Sequence, residues 1–285
     1  MTGAEVLLSV EIGLIYGIAA LGIFLTFRIL DFPDLTVDGS FVAGAALSAV
    51  ALKSGVDPYV ALGLGAVAGA AAGLITGVLH VYGRITSLLS GIITSFAFYS
   101  INLRIMNHVP NISFFQEETI FSTSDPLIPL CIIAFIGVVL LVYILQTNWG
   151  LALRVLGKNQ KLAGSYGINV SIYVIITLIL SNAFVGFSGG LFSQHQGFSD
   201  ISQGIGTIVV GLSAILIGEK ILPFKSIGWA CVACIIGSIL YRLCIALALH
   251  SDSLGLETSD LNLITSIIIV AIMIFPQIGK HYVRA

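Results

Sequence analysis

The sequence predicts an all-α fold, a polytopic transmembrane helical bundle of about eight to ten spans, some of them short or broken. Three observations carry this expectation. Of 285 residues, 57% are hydrophobic and only 9% charged, whereas a soluble domain carries roughly 25% charge. The mean hydropathy is +1.06. A soluble enzyme, a nucleic-acid binder or a disordered chain could not cover itself with so little polar surface. The apolar runs are also continuous and about twice as long as the ~10-residue alternating strands of a membrane barrel. Finally, no shift in composition divides the chain, so residues 1–285 read as one transmembrane domain.

Nine apolar segments follow in order, at about 6–27, 39–53, 59–82, 86–103, 128–146, 170–193, 205–218, 224–248 and 262–279. The first lacks a basic leader, carries Glu5 and Glu11, and is long enough to span, so it reads as a membrane helix and not as a cleavable signal. Gly13 and Gly17 give it a small-residue face. The second and seventh are short, the pattern of broken helices or partial crossings. The third carries Gly65, Gly69, Gly73 and Gly77 every four residues, one helix face on which a neighbouring backbone can pack closely in lipid. The fourth bears a polar stripe, Gly91, Ser95, Tyr99 and Asn102, flanked by Thr94 and Ser100. The sixth adds Ser181 and Asn182 and leads into an outer polar turn, Ser193 to Gly197. Hydroxyls and amides bind small solutes without burying charge, so Asp34, Asp38, Thr94, Ser95, Tyr99 and Asn182 are candidate residues of a translocation path. Helix–helix hydrogen bonding is the alternative role. In the eighth segment Cys231 and Cys234 stand without a second pair or a histidine and read as small apolar packers; no metal site and no cofactor is expected.

Lysine and arginine set the orientation. With the C-terminus cytoplasmic, nine spans place the N-terminus outside. Arg28, Arg84, Arg154, Lys158, Lys161, Lys220, Lys225, Lys280 and Arg284 then lie inside, nine of the twelve basic residues. Lys53, Arg104 and Arg242 remain near outer ends. Two stretches outside the spans stand out. The 104–127 loop is extracytoplasmic, with Pro110, Phe114, Phe115, Glu117 and Glu118. The 147–169 segment is cytoplasmic and too polar to span. It predicts a short helix from Trp149 to Leu156, ended by Gly157, and a second turn from Gln160 to Tyr166. Its basic, partly apolar helix, with Trp149, Ala152, Arg154, Val155, Leu156 and Lys158, suits docking into a cleft of another protein.

Two motifs invite chemistry. Gly186-Phe187-Ser188-Gly189-Gly190 matches a serine-nucleophile pattern, but the strand-turn-helix context is missing. No histidine sits at mid-depth to act as base: His195 is placed in the following loop, and His250 and His281 lie at span ends. A packing role for Ser188 is preferred over an intramembrane protease. Asp31, Asp34 and Asp38 fall within eight residues, at spacings that share one face if the stretch is helical. They read as a cation or proton-coupling site, as a gate-forming turn, or as a solvated reversal capped by Asp side chains. The chain has no Walker A motif and no catalytic dyad. The energy source is therefore an ion gradient or an ATPase on another chain.

The stretches Tyr16 to Gly22 with Leu25-Thr26-Phe27, the acidic turn into Gly39 and Phe41 to Ala45, and above all Trp149-Gly150 through Arg154, Gly157, Asn159, Ala163 and Gly167-Ile168-Asn169 resemble the branched-chain amino-acid-type permeases of ABC importers. Gly189-Gly190 and the Gly211 to Gly218 segment fit as well, so the likeness covers roughly residues 10–280. Better-known members carry an Asn-Phe-Ala-His-Gly-like turn after the first span. Here the turn is Phe32 to Gly39, which resembles a branch linked to aromatic amino acids. The resemblance implies a permease subunit of the bacterial inner membrane that moves a small solute, such as an amino acid, by alternating access. Its partners would be a cytoplasmic ABC ATPase, docked on Trp149, Arg154, Val155, Leu156 and Lys158, an extracytoplasmic solute-binding protein, and a second permease copy. The competing reading is an ion-coupled secondary transporter that uses the Asp31, Asp34 and Asp38 cluster.

Overall fold

The computed structural model describes residues 3–122, 125–222 and 226–249, with residues 266, 267 and 270 besides. Helix α1 (Gly3–Ile23) continues as a π-helical segment (Phe24–Leu30), and α2 (Val37–Lys53), α3 (Pro58–Val81), α4 (Ser87–Ile105) and α5 (Leu127–Gln146) follow. The short α6 (Asn148–Lys158) and α7 (Gln160–Ser165) precede α8 (Val170–Gln196), α9 (Thr207–Ile221) and α10 (Ile227–Leu249). Eight of the nine expected segments are therefore helices. All but three residues of the ninth, with Lys225, His250, Lys280, His281 and Arg284, lie outside the described residues.

Local chemistry fixes the helix ends. The Asp57 carboxylate accepts from the Tyr59 and Val60 amides at the start of α3, with Pro58 in the first turn. Thr147, Asn159 and Asn169 cap α6, α7 and α8 in the same way. Gly197, at φ 75°, closes α8 in the left-handed conformation. Outside the helices, the strands β1 (Asn111–Ser113) and β2 (Phe198–Asp200) form an antiparallel pair that ties the outer loop to the end of α8.

Helix α8 runs through the middle of the bundle and serves as a ruler of depth. Helix α1 lies antiparallel to it. Glu11 meets His195, the Ser188 hydroxyl donates to Ile15 O, and the Ser181 hydroxyl donates to Gly22 O. Helix α3 also runs antiparallel, with its glycine row pressed on α8. A Cβ added at Gly69 would stand 2.9 Å from Gly186 Cα and nearer still to Asn182 O; one at Gly73 would stand 2.7 Å from Leu178 C. At Gly65 and Gly77 the nearest atoms would be Gly44 O at 3.0 Å and Ile175 Cα at 3.1 Å. Gly13 and Gly17 give α10 the same close approach to α1, through Ile239 and Ile235.

Six of these helices are long and apolar enough to cross a bilayer. Helices α2, with 17 residues, and α9, with 15, are not: at 1.5 Å per residue they reach about 26 and 23 Å, short of a ~30 Å hydrocarbon core. Each completes its crossing with a non-helical stretch. Ser40 bonds Asn182, and Ser48 accepts from Gln194, so α2 starts midway along α8 and climbs to its outer end. Residues 31–36 rise from the inner edge to reach it. Helix α9 is the inverse: residues 201–206 descend from the outer face, and α9 continues inward to the Arg28–Glu219 ion pair. The two helices thus begin near the same depth and run in opposite directions.

This overturns two expectations about the acidic turn. Asp31, Asp34 and Asp38 share no helix face: residues 31–34 are not helical, Asp31 is exposed, Asp34 is buried, and Asp38 sits in the first turn of α2. The turn is not a solvated reversal either, because it lies inside the bundle. The basic residues do segregate as expected. Arg28, Arg84, Arg154, Lys158, Lys161 and Lys220 fall at the end that holds α6 and α7.

Candidate translocation site

Three of the six residues expected to line a path are bound into the protein interior. The Asn182 amide donates to Asp34 Oδ2 at 2.7 Å and to Leu178 O at 3.0 Å, and its carbonyl accepts from Ser40 at 2.7 Å. Asp34 Oδ1 accepts from the Thr36 amide, and the Thr36 hydroxyl meets that of Thr76 at 2.6 Å. Asp34, Thr36, Ser40, Thr76 and Asn182 are all at most 2% exposed. In the middle of a span, extended backbone survives only if it is enclosed and its polar groups are paired. Asp34 and Asn182 therefore staple the broken chain to α8. Thr94, also fully buried, donates to Ser90 O within α4.

The other three do come together. Asp38, Ser95 and Tyr99 line a cavity of roughly 80 Å3 with Asn102, Gly204 and Ile205. Its walls are the first turn of α2, the outer half of α4 and the chain descending into α9. Asp38 Oδ1 accepts from the Ile208 amide at 3.0 Å, and Oδ2 from the Gly206 amide at 3.3 Å. An aspartate from one half-helix so caps the positive end of the other. Asn102 donates to Gly39 O at 3.1 Å, while its Oδ1 is buried with no hydrogen-bond partner. At the mouth, Tyr99 is 55% and Ile205 77% exposed.

Two charged clusters escaped sequence reasoning. His195 is not in a loop but in the last turn of α8, where its Nε2 pairs with Glu11 Oε2 at 2.9 Å and its ring meets Phe121 edge-on. Arg242 lies 4.3 Å over the ring of Tyr16, which stacks on Phe41. A glutamate inside the first apolar run was the available signal, but its partner is 184 residues away. Ser188 is fully buried with its hydroxyl committed to Ile15, which leaves no nucleophile for a protease.

The 147–169 segment requires a correction. Leu153 and Leu156 are fully buried against the chain's own core, and Trp149 stacks on Tyr173 with ring centroids 5.7 Å apart. Leu156 and Trp149 thus face their own protein, and the outward residues are Leu151, Lys158, Leu162 and Tyr166, with Arg154 and Val155 half-buried. Gly157 does not end the helix; α6 runs on to Lys158. The glycine is needed instead for a close approach. A Cβ there would stand 2.9 Å from Ile29 C of the π-helical segment and closer to its carbonyl oxygen.

Comparison with known proteins gives the same picture. Residues 7–276 match the family described as branched-chain amino acid transport system / permease component. A tyrosine transport system permease protein of Clostridioides difficile is 41% identical over 261 residues, 91% of this chain and 87% of that one. An uncharacterised protein of Rickettsia prowazekii is 35% identical, over 87% of this chain and 89% of its own length. Among solved structures, PsaBC from Streptococcus pneumoniae in complex with Fab shares the fold, at a TM-score of 0.51 and 16% identity, covering 94% of this chain and 89% of that chain. A multi-pass protein of the bacterial inner membrane and a transporter subunit, not itself an enzyme, the chain belongs to the branched-chain amino acid transport permease family of ABC importers.

Proposed function

We propose that this permease carries an aromatic amino acid, tyrosine or a close analogue, through a path between two copies of the chain. The family implies a cytoplasmic ATPase and an extracytoplasmic binding protein as partners. The observation that carries the proposal is the meeting of two half-helices, α2 and α9, at a polar cavity near mid-span. Broken helices at the midplane are the usual place for a transporter to hold its solute. The cavity is lined in part by exposed Tyr99 and Ile205. A polar opening at that depth is costly against lipid, and a second copy facing it removes the cost. Asp38, Ser95 and Tyr99 then line the path, and Asp34, Thr94 and Asn182 support its wall.

On the inner side, α6 and α7 form the ATPase-docking surface, with Arg154, Val155 and Lys158 outward of the buried Leu153 and Leu156. The relative from Clostridioides difficile, a tyrosine permease over nearly its whole length, supports the aromatic substrate. The test is uptake by proteoliposomes holding the permease, its ATPase and its binding protein. Tyrosine should enter only with ATP, and Arg154→Glu should abolish uptake and recovery of the ATPase while leaving insertion intact. Uptake driven by a proton or sodium gradient without ATP would refute the proposal, as would an Arg154→Glu complex that purifies and hydrolyses ATP like wild type.

A further inference from the structure

The cavity at the α2–α4–α9 junction has a chemical polarity that the transport assignment does not explain. Its fixed groups are acceptors. Asp38 contributes a carboxylate that holds the Gly206, Thr207 and Ile208 amides at the α9 N-terminus and, with about four lone-pair sites, has room for one further donor. Among the described residues no cationic side chain pairs with Asp38; the ion pairs there are Arg28–Glu219 and Glu11–His195. Asn102 is 1% exposed, its amide nitrogen is committed to Gly39 O, and the Oδ1 that remains is an acceptor with no donor. That orientation is fixed, because a flipped amide would set oxygen against oxygen at Gly39. A buried acceptor without a donor costs free energy comparable to a lost hydrogen bond. Ser95 and Tyr99 add hydroxyls that accept as readily as they donate.

We propose that this cavity is the permease's own recognition site for a primary ammonium group, that of the transported amino acid, with Asn102 Oδ1 and the Asp38 carboxylate as its acceptors. The proposal rests on the amino-acid reading above and goes beyond it by assigning which end of the solute the permease holds. An ammonium presents three donors and no acceptor, the complement of the groups on the cavity wall. A volume of roughly 80 Å3 admits such a head. The rest of the solute would lie at the mouth, between Tyr99 and Ile205. The capped N-terminus of α9 does not offer a competing carboxylate site, since Asp38 already occupies it.

The experiment is direct binding to the purified permease–ATPase complex, without binding protein, by scintillation proximity with radiolabelled tyramine. Tyramine has the ammonium and no carboxylate; 3-(4-hydroxyphenyl)propionate has the carboxylate and no ammonium. Tyramine should bind, tyrosine should displace it, and the propionate should not. Asn102→Leu should weaken tyramine tenfold or more, the loss of one hydrogen bond to a charged group. Asn102→Leu should also leave the melting temperature of the complex within a few degrees of wild type, whereas a purely structural Asn102 would lose stability and tyramine binding together. The inference is overturned if wild type fails to bind tyramine, if the propionate competes equally, or if Asn102→Leu binds as wild type. ATP-driven tyrosine uptake measured on the same preparation separates the two levels. Import without ammonium discrimination sinks this inference alone, and failure to import sinks the transport reading.

Discussion

Replacing Gly69 by alanine adds a single methyl group, yet the geometry makes it one of the costlier changes available in this protein. The new Cβ would stand 2.9 Å from Gly186 Cα and nearer still to Asn182 O. Both are backbone atoms of α8, so no side chain can swing aside, and the helices must separate by about 1 Å to restore ordinary contact. Overpacking of this kind costs about 1–3 kcal/mol. The separation also loosens dispersion contacts along the rest of the glycine row, which lipid does not replace. It further strains the Asn182 bonds to Asp34 and Ser40, each worth about 1 kcal/mol or more. A total of about 2–5 kcal/mol follows. The assay is thermal unfolding of the detergent-solubilised protein, with two internal controls. Gly63→Ala, on the same helix with nothing within 4 Å, should be neutral or stabilise by up to about 1 kcal/mol through helix propensity. Leu64→Ala, at a position 36% exposed, should cost less than Gly69→Ala because lipid fills the space. Gly69→Ala should melt several degrees below both. If it melts with Gly63→Ala, the close approach of α3 to α8 is wrong, and with it the account of how the broken segment is enclosed.

Two further outcomes follow from particular contacts. Ser188→Ala removes one hydroxyl donation to Ile15 O and should cost about 1 kcal/mol with transport retained; labelling of Ser188 by a fluorophosphonate would contradict the packing role. On the outer face, Asp200 is partly buried, which works against ionisation, but hydrogen bonds from Ser202 and Asn111 prevail and hold its carboxyl below the usual 3.8. A depressed value means that the ionised form stabilises the β1–β2 pair above that pH and that this support drains away as pH falls through the folded value. The protection factors of the Asn111–Ser113 amides, corrected for the intrinsic pH dependence of exchange, should therefore fall below about pH 4, and Asp200→Asn should remove that acid step; an unchanged step in the variant would refute the assignment.

Much of the architecture was legible because the membrane imposes simple rules. Composition indicated the class, and run length indicated the spans. The four-residue glycine repeat of α3 pointed to the face that meets α8, because in lipid only small residues permit that contact. The brevity of α2 and α9 hinted at partial crossings. Where they start could not be read, since the missing part of each crossing is non-helical chain whose path depends on contacts with α8. The three aspartates misled because helical spacing means nothing in a stretch that is not helical. The α6 strip misled for a related reason: amphipathicity shows that one face is buried, not which molecule buries it. Asn102 was visible in the α4 stripe, but an acceptor without a donor emerges only once Gly39 is seen to take the amide nitrogen.

The contact of Gly157 with Ile29 has a mechanical consequence. Side chains yield under load by changing rotamer, whereas two backbones in contact transmit displacement almost undiminished. A displacement of α6 would thus reach the carbonyl of Ile29 directly, one residue from Arg28, whose guanidinium pairs with Glu219 in the last turn of α9. Two contacts connect α6 to the half-helix whose other end carries the Asp38 cap. The π-helical turn between them is the compliant piece, since its hydrogen bonds span one residue more than those of an α-helix and can tighten by a register step. On the proposed transport reading, the stiffness of these seven residues, Phe24 to Leu30, would set how much of a displacement at α6 reaches α9.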